Sequence, residues 1–147
     1  MKVILQHELF DPGQLINSFH RDLENVGAVV NFTGIVRNNK KLNLTKLHIE
    51  HYPEMTRKSL EEIQLLTTKR WNLIDCLIIH RYGDLQINEP IMMIITAAGH
   101  RSDAFSAADF LMDYLKSRAP FWKKEFTIDG SEWVASKIED ENSLSRW

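Results

Sequence analysis

The stretch HRSDAFSAADFLMDYLKSRAPFWKKE, residues 100–125, carries a helix, a stop and a strand in one run. Ser102 or Asp103 is suited to cap the helix start by accepting backbone N–H bonds. Pro120 has no N–H and disfavours the α conformation at Ala119, so the helix should end near Arg118. At about 100° per residue, Phe105, Ala108, Met112 and Leu115 make one apolar stripe, with Lys116 beside Phe105 and Met112. An ammonium group there either snorkels to water or sits desolvated with a lowered pKa, fit for acid–base or nucleophilic work. Position alone favours snorkelling. Beyond the proline, the aromatic and basic FWKKE segment resumes as a strand.

Working outward, residues 2–8 read as a first strand. Asp11-Pro12 supplies a cap and a proline at the first helical position. Leu15, Ile16, Phe19 and Leu23 continue it at helical spacing to about residue 24. GAVVNFTGIVR, residues 27–37, is the strongest strand. Its alternation puts Val30, Phe32 and Val36 on one face and Asn31, Thr33 and Arg37 on the other, with Gly34 marking a bulge or a close approach. A polar loop at 38–44 leads to a strand at 45–51, then to a helix from Pro53 to about residue 70 with Leu60, Ile63 and Thr67 inward. Residues 75–82 and 91–98 are further strands, and GDLQINEP between them carries a short extended piece. After 121–127 come a turn at Asp129-Gly130, a short piece around Trp133, and a C-terminal tail over about 137–147 ending in a docking-type Arg146-Trp147. Helices and strands are interspersed without strict βαβ rhythm, repeats or linkers, so the expected class is α+β, one domain over residues 1–147.

A net charge of −2 offers no overall basic excess for nucleic acid, and FWKK alone is a weak basis for RNA binding. One cysteine excludes an intrachain disulfide and a Cys-rich metal site and suits a reducing compartment. Cys76, in an apolar run, reads as core. No apolar run reaches membrane length, and a cytoplasmic location is expected. Nucleotide, hydrolase and HExxH motifs are absent. His48 and His51 should face opposite sides of a strand, so no metal site is expected, and His80 reads as a hydrogen-bonded core residue.

What remains is a cationic set: Arg37, His100, Arg101, Lys116, Lys123 and Lys124. Each singly has an ordinary explanation, whether strand end, helix C-terminus or solvated edge. At His100-Arg101, however, the helix start is already positive, and added cations are locally unfavourable unless an anion joins them. The pattern points to a phosphate or carboxylate ligand held by arginine forks and helix N–H groups.

With those residues in view, the chain resembles the large, catalytic subunit family of molybdopterin synthase. The likeness rests on FTGIVRNN (32–39), EHYPEM (50–55), HRYGDL (80–85), GHRSDAF (99–105) and MDYLKSRAPFWKKE (112–125), in that order, with Trp133 and Arg146-Trp147 in keeping. The resemblance implies an α/β-hammerhead fold, a mixed or antiparallel sheet with packed helices. It also implies a homodimer bearing a small ubiquitin-like sulfur carrier at each end, a heterotetramer. The carrier's C-terminal Gly-Gly thiocarboxylate would deliver sulfur to cyclic pyranopterin monophosphate, forming the dithiolene of molybdopterin in molybdenum cofactor biosynthesis. On this likeness Lys116 and Lys123 are the catalytic lysines and His100 and Arg101 the anion contacts. Ile35, Val36 and Arg37 form the strand-end contact, and Lys124-Glu125 continue the contact after Lys123. Many family members carry a basic residue where this chain has Ile35, so only its backbone is expected to serve. The chemistry calls for no metal and no organic cofactor.

Arg101 and Lys116 lie fifteen positions apart on one expected helix, hence ~22 Å at ~1.5 Å per residue. They cannot close on one small anion within a chain, so each pocket should combine the lysine end of one subunit with the His-Arg end of its partner. Two other readings stay open: a phosphate-handling transferase without a protein carrier, and a non-catalytic module that only binds a ubiquitin-like partner.

Overall fold

The computed structural model describes residues 1–135 and 137–147. Its elements are β1 (Lys2–Gln6), α1 (Pro12–Phe19), β2 (Ala28–Ile35), β3 (Leu44–His51), α2 (Pro53–Arg70), β4 (Asp75–Arg81), β5 (Gly83–Gln86), β6 (Pro90–Ala98), α3 (Arg101–Ser117), β7 (Phe121–Thr127), β8 (Gly130–Trp133) and α4 (Ile138–Leu144). They form the expected α+β architecture, divided between two four-stranded sheets ordered β1-β4-β6-β2 and β5-β3-β7-β8. The first is mixed, since β1 runs parallel to β4 while β4–β6 and β6–β2 are antiparallel. The second is antiparallel throughout.

β4 and β6 are near-continuous apolar runs because both of their faces are covered. On one side Cys76, Ile78, Met92 and Ile94 pack with Leu60 and Ile63 of α2 and with Ala104, Ala107 and Leu111 of α3. On the other, Leu77, Ile79, Met93 and Ile95 meet Leu15, Ile16 and Phe19 of α1. The second sheet has its own small core of Val36, Leu47, Ile49 and Leu85.

Several local expectations are corrected. α1 stops at Phe19, with His20 as its C-cap, well short of residue 24; the chain then turns through Asn25 at φ 59°. α3 starts two or three residues earlier than a Ser102 or Asp103 cap requires: His100 is the N-cap, without a side-chain cap bond. Its end at Arg118 is as expected. The residues α3 buries are Ala104, Ala107, Ala108, Phe110 and Leu111, whereas Phe105 is 63% exposed. Alanines hold the centre of that face because they let the helix axis approach the sheet closely; Ala108, Met112 and Leu115 of the expected stripe pack in or against the core, and only Phe105 is left at the rim. In β2 the register shifts between Gly34 and Ile35. That bulge breaks the expected Val30, Phe32, Val36 face: Val36 enters the second core, while Phe32 stays 42% exposed.

The C-terminal residues are no loose tail. Arg146 Nε and a terminal guanidinium nitrogen both donate to Asp113, as does the Trp147 indole N–H. The Trp147 ring packs edge-on against Trp71 and Phe110. His48 bonds Asp84 while His51 lies against Tyr82 and Phe121, so the two histidines diverge. Among the described residues no group of His, Cys, Asp and Glu could hold a metal ion. No described helix is long and apolar enough to cross a membrane.

Candidate functional site

The Gly34 bulge, the end of α3 and the start of β7 meet where the two sheets join. Between them lies a cavity of about 360 Å³ walled by Phe32, Ile35, Arg37, His80, Lys116 and Lys123 among others. A smaller cavity of about 120 Å³ shares His80, Leu115, Lys116 and Lys123 with it and continues toward Val134, Lys137 and Asp140. The lysine pair thus stands between a chamber opening past Arg37 and a cleft leading to the C-terminal segment.

Each side chain arrives for a local reason. Lys116 is on the last turn of α3, held there by the Pro120 stop, and is exposed. Lys123 follows Phe121 by two positions on β7, so both project from the same strand face, and it is half-buried. Arg37 is exposed just past the β2 bulge. Burial, followed by repulsion from Lys116, lowers the Lys123 pKa from 10.5 to about 8, with Asp140 partly opposing. A lysine so depressed can exchange protons near neutral pH.

His80 is the wall residue that sequence reasoning did not place in the site. It is buried and hydrogen-bonded as expected of a core histidine, with its Nδ1 2.7 Å from the Arg81 carbonyl. It also stacks on Phe121 at 3.7 Å between ring centroids. Burial drives its pKa down to about 3, opposed by the Arg81 carbonyl bond and reinforced by Lys123, so the ring is neutral. Nothing in the HRYGDL stretch distinguished a cavity wall from ordinary core; only the packing of β4 against β7 does.

The other candidates are divided. Ile35 lines the cavity beside Arg37, whereas Val36 is 1% exposed in the second core. Lys124 projects to the opposite side of β7, its ammonium over the Phe126 and Trp133 rings. Glu125 is half-buried opposite Leu47 and is not among the cavity walls. His100 and Arg101 are exposed at the far end of α3, which runs unbroken through 17 residues, so within one chain they do not reach the lysines.

Fold and cavity together define the class: an α+β protein whose two sheets close on a lysine- and arginine-walled chamber suited to anions. A sequence model of the MoaE protein family matches residues 5–118, and the chain belongs to that family. A relative from Cereibacter sphaeroides, named molybdopterin synthase catalytic subunit, is 52% identical over 147 residues, covering all of both chains. Among solved structures, the molybdopterin biosynthesis MoaE protein of Burkholderia ambifaria superposes with a TM-score of 0.84 at 39% identity, covering 99% of this chain and 97% of that one. Molybdopterin synthase from Staphylococcus aureus gives 0.80 at 34%, covering 92% of this chain and 98% of that one.

Proposed function

We propose that this chain is the catalytic subunit of a molybdopterin synthase, a sulfurtransferase. It moves sulfur from the C-terminal thiocarboxylate of a small ubiquitin-like carrier subunit to cyclic pyranopterin monophosphate, building the dithiolene. The observation that carries the reading is that Lys116, Lys123 and Arg37 wall one cavity. Two anions, a cyclic phosphate and a thiocarboxylate, must share a pocket in this reaction, and clustered cations offset their repulsion.

The sulfur is already a good nucleophile, so the protein's contribution is orientation, charge and proton transfer. Sulfur bonds to a pterin side-chain carbon as that carbon's C–O bond breaks, the oxygen leaving as water or on the phosphate; water then adds to the carrier's acyl carbon, the acyl–sulfur bond breaks, and the carrier leaves as a carboxylate. Lys116 is the general acid–base group, or the amine that takes the acyl group transiently. Lys123 assists and holds charge. Arg37 grips phosphate, with the Ile35 backbone beside it. His100 and Arg101 serve a second copy's pocket. Lys124, Glu125 and Val36 support the site through the strands that carry Lys123 and Arg37. Residues 1–147 act as one unit.

An open sheet edge supports the twofold arrangement. β2 is the last strand of its sheet. Its Ala28 end lies opposite Ala98, just before α3 begins, and its Ile35 end lies beside the lysine cavity. Antiparallel pairing of two β2 edges about a twofold axis sets the Ile35 end of one chain against the Ala28 end of the other. Lys116 then faces the partner's His100 and the partner's Arg101, which one chain alone cannot provide.

The test is reconstitution. Purified chain mixed with thiocarboxylated carrier and cyclic pyranopterin monophosphate should yield dithiolene product. Turnover without a carrier would instead favour a phosphate-handling transferase, and carrier binding without turnover a docking module.

A further inference from the structure

His80 stands where the two sheets touch. It belongs to β4 of the first sheet and stacks, nearly parallel at 13°, on Phe121 of β7 in the second. Its ring is fixed at the other edge too. A carbonyl oxygen only accepts, so the 2.7 Å contact with Arg81 makes Nδ1 the donor. The Arg81 backbone is itself pinned, because its 3% exposed side chain donates to the His7 and Pro90 carbonyls and to Glu89. With Nδ1 protonated and the ring neutral, Nε2 carries a lone pair, and it has no hydrogen-bond partner among the described residues. The charged or titratable groups around the ring are Lys123 of β7, Lys116 of α3 and His51 of β3. Both cavities at the lysine pair have His80 in their wall.

We infer that His80 is a positioning residue for Lys123, its Nε2 serving as a fixed acceptor for an N–H of the Lys123 side chain when substrate and carrier tail fill the cavity. The inference rests on the sulfurtransferase reading. A neutral acceptor suits this place: it orients the amine without adding a third positive charge beside two lysines, and it leaves the cations free for the anions.

Three measurements test it. The reconstituted wild-type reaction comes first; failure to form dithiolene there counts against the sulfurtransferase reading, not against His80. With wild type active, His80→Asn keeps a donor for the Arg81 carbonyl but removes the Nε2 acceptor, and kcat should fall on the order of 100-fold with KM little changed. His80→Gln, whose amide oxygen reaches the Nε2 position, should recover most of that loss. Equal activity of His80→Asn and wild type, or equal loss in both folded variants, overturns the inference. Should either variant not fold, ¹⁵N NMR of the unsubstituted His80, recorded with carrier and cyclic pyranopterin monophosphate bound, decides. An Nδ1–H tautomer whose Nε2 signal moves in Lys123→Met supports it, and an Nε2–H tautomer or an unmoved signal overturns it.

Discussion

Lys123 shows how a single residue trades stability for chemistry. Folding lowers its pKa from 10.5 to about 8, so the unfolded chain binds that proton more tightly than the native one. The resulting penalty is fully present below pH 8, shrinks as pH rises toward 10.5 and vanishes above it. Lys123→Met should therefore raise unfolding stability by ~1–3 kcal/mol at pH 7, with the gain fading by pH 10.5; urea melts at the two pH values check this, and an unchanged or lower midpoint at pH 7 refutes it. The same variant should lose turnover. Lys116→Ala should lower kcat by ~100-fold or more while carrier and pterin still bind, read by titration calorimetry beside the activity assay; loss of carrier affinity alone would demote it to a docking residue. At position 116 the residues favour a snorkelling lysine over a desolvated one, and Lys116 is exposed. The depressed one is 123, because burial depends on how β7 meets β4 and α3, which strand alternation does not report.

At the scale of elements, close approach explains most of what periodicity misjudged. Gly27 meets the Gly99 carbonyl so tightly that an added Cβ would collide with backbone. Gly27→Ala should cost several kcal/mol, on the order of the larger core substitutions, because neither backbone can yield; a melting midpoint within a degree or two of wild type would contradict this. The C-terminal segment is the other case. Trp147 packs against Trp71 and Phe110 and donates to Asp113. Trp147→Ala should destabilise the chain by about 1–3 kcal/mol and deprotect α4 in hydrogen exchange while sparing β4 and β6. Uniform deprotection would show that the segment is no separate unit. The helix stop at Pro120 and the inward face of α2 were legible, since proline geometry and strong periodicity act locally. The α3 face was not, since alanines compete with larger side chains for it only once a sheet lies opposite.

For the whole molecule, the separation of Arg101 from Lys116 along an unbroken α3 makes the proposed site a property of two chains. Mixing inactive Arg101→Ala with inactive Lys116→Ala and allowing subunits to exchange should restore about a quarter of wild-type activity, since half the dimers then carry one intact site of two. No recovery, with exchange verified, would place both residues in one chain's pocket or neither. Phe105→Glu, at an exposed rim position beside Phe32, tests the β2 edge: a monomer by size exclusion with activity lost is expected, and a fully active dimer would refute that pairing.

What the sequence determined by itself was local or additive: the α+β class, the Pro120 stop, the Gly34 bulge, an anion-seeking set of cations, and a family resemblance spread over five ordered stretches. These follow from backbone sterics, side-chain periodicity and charge, which act over a few residues. Tertiary structure alone decided which cations share a wall, which lysine is desolvated, that a neutral His80 shares that wall, and where the C-terminus docks. Those depend on how the two sheets meet and on contacts between residues far apart in the chain, distances that no short window of sequence encodes.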